Sequence, residues 1–439
     1  MRTRSSVTAS VTIGAVAVLT AGCLSEEGGG GGGGNSNTSN SIELMYGFGG
    51  SQGDVFAEVM TAFAEENDID LELSEVTNFN QLIVTRVQGN QIPDIAMFPQ
   101  PGIMRQFADQ GRLADISEMV DMDDVEENFP GGLVQAGQGS DGTQYALPYG
   151  INVKSVVFYP AEAAADLGVD EPPATFDELL QLSESVAGTG TTPWCFGIED
   201  GAATGWAATD WVENMMLINY GSDVYNEWVN HEIPFNDERV LDVLNQIEDL
   251  LLAEGQTYGG RQSIASTNFQ TAGNPMFDTP PGCAMHRQGN FLANEGFFPE
   301  EVVADLDNTV GVFPMPGLTP EDKPVLGGGD LFAAFTSDNE AVAATIEYMT
   351  SAEFGNALAA EGLGYLSPRK DTDMEAYPNE TTRTFATIAY ESTEFVFDGS
   401  DQMPGEVGSG SFWREMVAWI SGGQDAKTTL DNIENSWPA

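Results

Sequence analysis

Ile42-Glu43-Leu44-Met45-Tyr46 runs into Gly47-Phe48-Gly49-Gly50-Ser51-Gln52-Gly53-Asp54. An apolar, β-prone run followed by clustered glycines reads as a strand ending in a turn. Val55, Phe56, Val59, Met60 and Phe63 then recur at helical spacing, so a helix follows directly. Ile69, Leu71 and Leu73 alternate as a second strand, Leu82 to Val87 is helical in pattern, and Ile92-Pro93-Asp94-Ile95-Ala96-Met97-Phe98 gives a third strand. This βαβαβ alternation predicts an α/β fold with a mostly parallel sheet flanked by helices, whose ligands sit beyond the carboxyl ends of the strands. The strand-to-turn junctions therefore nominate Phe48, Gly49 and Ser51, and, after the third strand, Pro99-Gln100-Pro101.

Downstream, Tyr145 to Lys154 carries Pro148 in an extended segment and leads into the apolar strand Ser155 to Tyr159, as a crossing between two α/β units would. Thr175 with Glu178 three residues later forms a capping box and opens a second unit. Thr309 to Pro316 reads as a strand ending in a loop. Gly327-Gly328-Gly329-Asp330 precedes another strand, Leu331 to Phe335, and a helix from Asn339 onward. Residues 373–439 read as helical, with an amphipathic stretch around Phe412, Trp413, Met416, Val417 and Ile420.

Upstream of Ile42 the chain has a different character. Arg2 and Arg4 precede an apolar run from Val11 to Leu19, then Thr20-Ala21-Gly22-Cys23. A charged start, a short hydrophobic segment and small residues describe an export signal over residues 1–22. The approach to Cys23 resembles a lipobox, which would make Cys23 a lipidated N-terminus, although Leu19 stands one position further from the cysteine than in the common pattern. The alternative is a plain cleaved signal with an incidental cysteine. Residues 23–40, with seven consecutive glycines and an Asn/Ser/Thr tail, cannot pack a core and predict a flexible tether of ~25 Å root-mean-square reach.

The chain of 439 residues has 15 Lys+Arg against 68 Asp+Glu, a formal charge of −53. Such a surface excludes nucleic acid as a natural partner, and its self-repulsion is screened only at high salt. This predicts a halophilic protein. With 41% hydrophobic residues, seven tryptophans and 24 phenylalanines, core-forming material is ample and charge-driven disorder is not expected. The residues after the tether exceed what one hydrophobic core usually accommodates, so two lobes are predicted. Besides Cys23 there are Cys195 and Cys283, which in an exported protein read as a disulfide, the alternative being two buried thiols.

Catalytic motifs are hard to assemble. His231 and His286 cannot make a metal cluster by spacing, and neither Gly-x-Ser-x-Gly nor His-Glu-x-x-His occurs. No metal, cofactor or catalytic residue is predicted. Aromatic side chains do interleave with polar groups at predicted loops: Trp194 to Gly201 with Trp206 and Asp210-Trp211, Met285 to Phe291, and Ser411-Phe412-Trp413. Sugars offer C–H faces that stack on rings and hydroxyls that need paired donors and acceptors, so this mixture suits them. For any single tryptophan, core packing is the plainer reading.

Ile92-Pro93-Asp94-Ile95, Leu147-Pro148-Tyr149-Gly150, Val310 to Pro314 before Gly327 to Asp330, and Phe412-Trp413, in that order along the chain, resemble the family-1 extracellular solute-binding proteins of ABC-type sugar importers, the group that includes maltose-binding protein. Trp194-Cys195, Glu199-Asp200-Gly201, Trp206 and His286-Arg287-Gln288 look closest to its α-glucoside and glucose-binding branch. The resemblance implies a two-lobed, type II periplasmic-binding-protein-like fold, with residues 41–149 and 310–365 in one lobe and 150–309 and 366–439 in the other. It implies ligand contacts at Phe48, Gly49, Ser51, Gln100, Tyr149, Asn152, Trp206, Asp210, Arg287, Gln288, Phe291, Gly329, Asp330 and Trp413. A tryptophan is common at the position of Phe291 in the maltose-type pattern. The implied protein is a monomeric, non-enzymatic sugar receptor on the extracellular face of the membrane, held by a lipid anchor and handing its ligand to an ABC permease. The alternatives are a binding protein for a polyol phosphate or anionic osmolyte, a secreted glycoside hydrolase, or a structural surface protein.

Overall fold

The computed structural model describes residues 40–294, 296–362 and 365–438. The expected export signal, Cys23 and all but the last residue of the expected tether lie outside the described residues.

Strands β1 (Ser41–Tyr46), β2 (Asp70–Glu75) and β3 (Ile95–Phe98) are joined by helices α1 (Gly50–Glu66) and α2 (Phe79–Gln88), and α3 (Pro101–Asp109) follows β3. The three strands are parallel: Leu44 pairs with Leu73 on one side and with Ile95 on the other. Helix α1 begins at Gly50, earlier than the glycine-rich run suggested. Those glycines serve close approach: a Cβ on Gly49 would stand 2.3 Å from Glu75 Oε1, and one on Gly53 3.1 Å from the Phe48 carbonyl oxygen. Phe56 and Met60 are buried, as the helical spacing requires.

The sheet is completed by strands from elsewhere in the chain. β4 (Ala146–Pro148) and β11 (Leu331–Ala334) give the order β2-β1-β3-β11-β4. β11 runs antiparallel to both β3 and β4, so this sheet is mixed. A second sheet of four strands has the order β7-β8-β6-β9, made by β6 (Val156–Pro160), β7 (Thr192–Trp194), β8 (Cys283–Gln288) and β9 (Val310–Pro314). A third joins β5 (Asn152–Val153), β10 (Pro324–Gly328) and β12 (Glu394–Phe397) in the order β12-β10-β5. β9, expected to begin the return to the first lobe, pairs along its length with β6, and β10 pairs with β5 and β12. The return to the first sheet comes only at β11, after Gly329-Asp330. β12 was not anticipated in the helical reading of 373–439: Glu394-Phe395-Val396-Phe397 is a short run with no surrounding period, and its parallel pairing with β10 makes it a strand.

Thr175 caps the helix Phe176–Thr189 as expected, its hydroxyl accepting from Glu178 N at 3.3 Å while Glu178 Oε2 accepts from Ala174 N at 2.8 Å. The core of the second half surrounds the helical segment Trp206–Val229, interrupted at Gly221 where φ is 76°. Trp194, Trp211, Trp228 and Trp419 are each at most 1% exposed there, which realises the core reading of these rings. Cys195 and Cys283 form a disulfide with Cα atoms 5.6 Å apart, across a sequence separation of 88. The bridge joins the end of β7 to the start of its parallel neighbour β8.

Candidate functional site

Three segments run between the five-stranded sheet and the rest of the fold: Tyr149 to Ile151 between β4 and β5, Gly329-Asp330 between β10 and β11, and the stretch through Tyr365-Leu366. They lie side by side. Tyr149 N donates to the Asp330 carbonyl at 3.2 Å, Ile151 N donates to the Leu366 carbonyl at 2.9 Å, and the Tyr365 hydroxyl donates to the Tyr149 carbonyl. Such contact leaves no room for side chains between the backbones. A Cβ on Gly329, where φ is 151°, would stand 2.3 Å from the Gly150 carbonyl oxygen, and one on Gly150 2.7 Å from the Tyr365 ring.

These segments floor a cavity of about 170 Å³, whose walls include Gln52, Tyr149, Asn152, Phe291, Asn294, Asp330 and Tyr365. The Tyr149 ring is fixed on both sides: Gln52 Nε2 donates to its hydroxyl at 2.7 Å, and Phe48 stacks on it with centroids 5.1 Å apart and planes 2° from parallel. The Asp330 carboxylate takes no hydrogen bond from the protein among the described residues, and burial pushes its pKa up to about 7. A carboxylate desolvated without a partner is poised to accept hydrogen bonds from whatever fills the cavity. Asp330 also lines an adjoining groove of about 510 Å³ with Gly47, Phe48, Asn78, Phe79, Asn80, Gln81 and Pro99.

Of the residues nominated from sequence, Tyr149, Asn152, Phe291, Gly329 and Asp330 meet at the cavity and Phe48 at the groove. Gln100 stands behind the groove, its Oε1 accepting from Asn80 Nδ2 at 2.7 Å and its Nε2 donating to Asp401 at 3.4 Å. Gly49 packs on Glu75, and the Ser51 side chain lies outside the described residues. Trp206 is set back from the cavity: its indole donates to Asp200 at 2.9 Å, and its ring touches Phe269 and Phe291, with centroids 4.9 and 6.1 Å away. Trp413 lines neither cavity nor groove, and its backbone packs on Gly205.

Asp210, Arg287 and Gln288 are buried in the core, at 0%, 2% and 2% exposure, and line neither space. The Gln288 side chain turns back to accept from Gly289 N at 2.9 Å. Asp210 and Arg287 belong to a charged cluster built around Lys154. Its Nζ lies 3.2 Å from Asp210 Oδ1 and is hydrogen-bonded to Asp398 Oδ2. Arg287 donates to Asn214 at 3.1 Å, stands 3.7 Å from Asp210 Oδ2 and lies over the Trp211 ring. Glu213 accepts from Gly399 N and Ser400 N at 2.8 and 3.2 Å. Burial, reinforced by Asp398 and Asp210, holds its pKa well above the usual carboxylate range. Burial also opposes ionisation of Asp398, but Lys154 outweighs it and pulls that carboxyl down to about 2. Asp210, Glu213 and Asp398 converge closely enough to suggest a metal site, yet the Lys154 ammonium already supplies the cation. A spacing argument on sequence could not separate such an internal ion cluster from a cleft that presents charge to a ligand.

Sequence reasoning missed Asn294, Tyr365, Asn78, Asn80 and Gln81. Gln52 stood inside the turn that was singled out, but not as a site residue. The amide-rich stretch Thr77-Asn78-Phe79-Asn80-Gln81, which enters the first turn of α2, was the available signal for the groove.

Residues 49–355 match the family model for bacterial extracellular solute-binding proteins. Over 390 residues the chain is 38% identical to the osmoprotective compounds-binding protein GgtB of Synechocystis sp., covering 89% of this chain and 90% of that one. It is 35% identical over 397 residues to the alpha-glucosides-binding periplasmic protein AglE of Rhizobium meliloti, covering 88% and 85%. Among solved structures, the bacterial solute receptor AcbH, described as preferring β-D-galactopyranose, superposes with a TM-score of 0.74 at 17% identity, covering 91% of this chain and 98% of that one. That likeness shows the fold, a two-lobed type II periplasmic-binding-protein architecture.

Proposed function

Because the chain belongs to the bacterial extracellular solute-binding proteins, we propose that it captures a small neutral sugar, glucose or an α-glucoside, at the crossings between its lobes and delivers it to an ABC import permease. In this reading the lobes are taken as expected from sequence, with the return to the first drawn at β11, which pairs with β3 and β4, rather than at residue 310. The observation that carries the choice of ligand is the charge state of the site. Asp330, desolvated and unpartnered among the described residues, is the carboxylate in the cavity lining, while Lys154 and Arg287 are tied to buried carboxylates. A polyol phosphate or an anionic osmolyte needs a cation or a fork of donors at its charged end. A neutral polyol needs mixed acceptors, amides and aromatic faces, which Asp330, Gln52, Asn152, Asn294, Tyr149 and Phe291 supply.

No covalent chemistry is required. The ligand makes contacts in the closed arrangement that it lacks in an open one, and so shifts the population toward closure. The three crossings are the segments able to absorb the motion. The relatives named above are binding proteins, which agrees with a receptor that does not turn over its ligand. Anchoring through lipidated Cys23, a tether over residues 23–40 and a monomeric state complete the reading: they keep a halophilic receptor near its importer and free to reorient. A thermal-shift panel of monosaccharides, disaccharides and sugar phosphates in molar potassium chloride tests it. Stabilisation by neutral sugars alone supports the reading, and stabilisation by phosphates alone contradicts it.

A further inference from the structure

The spacing of Phe176, Leu180 and Ser183, and of Asp177 and Glu184, puts these side chains on one face of the helix Phe176–Thr189. Gln246 and Leu250 stand four residues apart where the helix Glu238–Ile247 passes into a π-helical turn, Glu248–Leu252. Such turns are rare and recur at functional sites. With Asn219, Asp249, Gln256 and Leu318, these residues line a cavity of about 420 Å³, inside the ~300–1,000 Å³ range of common ligand sites. It shares no lining residue with the cavity at the crossings or with the groove beside it.

The lining is rich in hydrogen-bond acceptors. Gln256 Oε1 is buried without a partner among the described residues, a cost that a donor from a ligand relieves. Asn219 spends both amide hydrogens inside the protein, on the Met215 carbonyl at 2.8 Å and on Gln246 Oε1 at 3.2 Å, so its Oδ1 is what it has left to offer. Asp177, Glu184 and Asp249 add exposed carboxylates, and no Lys, Arg or His stands in the lining among the described residues. Apolar surface comes from Phe176, Leu250 and Leu318. Leu318 is 51% exposed, one of two large hydrophobic side chains left so open among the described residues.

Carboxylates alone select nothing on so acidic a chain; the orphaned amide oxygen and the apolar walls narrow the choice. A hydroxylated ligand asks its site for donors as well as acceptors, whereas an ammonium or guanidinium group carries donors only. An alkyl stem behind such a head covers apolar surface while the charge stays wet. We propose that this cavity is a second solute site, separate from the crossings, that takes a small aliphatic guanidinium or ammonium cation. The head faces Asp177, Glu184 and Asp249 and donates to Gln256 Oε1, and the stem lies along Phe176, Leu250 and Leu318. At molar salt the Debye length is ~3 Å, so carboxylates spread over the rest of the surface attract such a solute weakly, and a cation seated in contact with its partners keeps their field. The site goes beyond the sugar reading and does not depend on it.

Calorimetry on the full-length receptor in molar potassium chloride tests the assignment, with agmatine as the cationic probe and butane-1,4-diol as an uncharged chain of the same length. Agmatine binds saturably at one site, about tenfold or more tighter than the diol, because its hydrogen bonds are charge-assisted. Gln256→Ala weakens agmatine binding several-fold. Asp249→Asn and Leu318→Ala, at exposed positions that carry little folding risk, do the same. A glucose titration of each variant gives the same result as wild type, whatever that result is. Absence of saturable agmatine binding, equal binding of the diol, or agmatine binding that all three variants leave unchanged would overturn the second site while leaving the sugar reading intact. Failure of wild type to bind any sugar would strike the sugar reading alone.

Discussion

Lys154 Nζ lies 3.2 Å from Asp210 Oδ1 in a cluster that also holds Asp398, Glu213 and Arg287. The two residues of this chain best placed by sequence to meet an anion, Lys154 and Arg287, therefore neutralise its own core. Asp210→Ala leaves the buried Arg287 without its carboxylate neighbour and Lys154 with Asp398 alone. Loss of one member of a buried pair costs about 3–5 kcal/mol, so the midpoint of denaturant unfolding in molar salt falls by that equivalent. Whatever folded protein remains binds sugar with near-normal affinity. A large affinity loss at unchanged stability would return Asp210 to the ligand site.

Asp330 makes the system pH-dependent in two opposite senses. Its carboxyl in the folded protein sits at about 7, above its ordinary value near 3.8. Between those values the native state holds a proton that the unfolded chain has released, so Asp330's contribution to stability falls as pH rises from about 4 to about 7. Asp330→Asn removes this effect and raises the melting temperature at pH 8 relative to wild type, but not at pH 4. Sugar affinity moves the other way, because hydroxyls donate more strongly to the ionised carboxylate. It rises through pH 7 in wild type and is flat in Asp330→Asn. Titrations at pH 5.5 and 8.5 read both effects, and a flat wild-type profile would remove Asp330 from the site.

Gly329 is confined by its φ of 151° and by the Gly150 carbonyl 2.3 Å from where a Cβ would lie. Gly329→Ala must push two crossings apart, at a cost of about 1–3 kcal/mol. Because those crossings floor the cavity, the variant loses sugar affinity beyond its loss of stability. Comparing thermal midpoints with calorimetric affinities separates the two losses.

Reduction of Cys195–Cys283 releases a constraint across 88 residues of separation, worth about 4–5 kcal/mol in the chain-entropy model. Both cysteines are buried, at 2% and 0% exposure, so the bridge resists reductant under native conditions. The double variant Cys195→Ala/Cys283→Ala unfolds at markedly lower denaturant, while its sugar affinity is unchanged because neither cysteine lines the cavity or groove.

The local layout was legible where a periodic signal was strong. The alternation from Ile42 to Phe98, the Thr175 cap and the crossing at Tyr149 to Asn152 all stand in the structure. Glu394 to Phe397 was missed because four residues carry no period and become a strand only beside β10. The candidate cavity was half legible for a related reason. Residues at chain crossings, Tyr149, Asn152, Gly329 and Asp330, are constrained by connectivity, which a sequence displays. Asp210, Arg287, Trp206 and Trp413 carry suitable chemistry but sit on helices or strands whose facing depends on packing. For Asp210 and Arg287 the core claimed that chemistry.

The sugar-receptor reading is tested most directly by calorimetry of the full-length receptor in molar potassium chloride, titrated in parallel with an α-glucoside and with sn-glycerol 3-phosphate, in wild type and in Asp330→Ala. It predicts saturable binding of the α-glucoside, largely lost in Asp330→Ala, with no measurable binding of the phosphate. Tight phosphate binding with none of the neutral sugar, unchanged by Asp330→Ala, would contradict it.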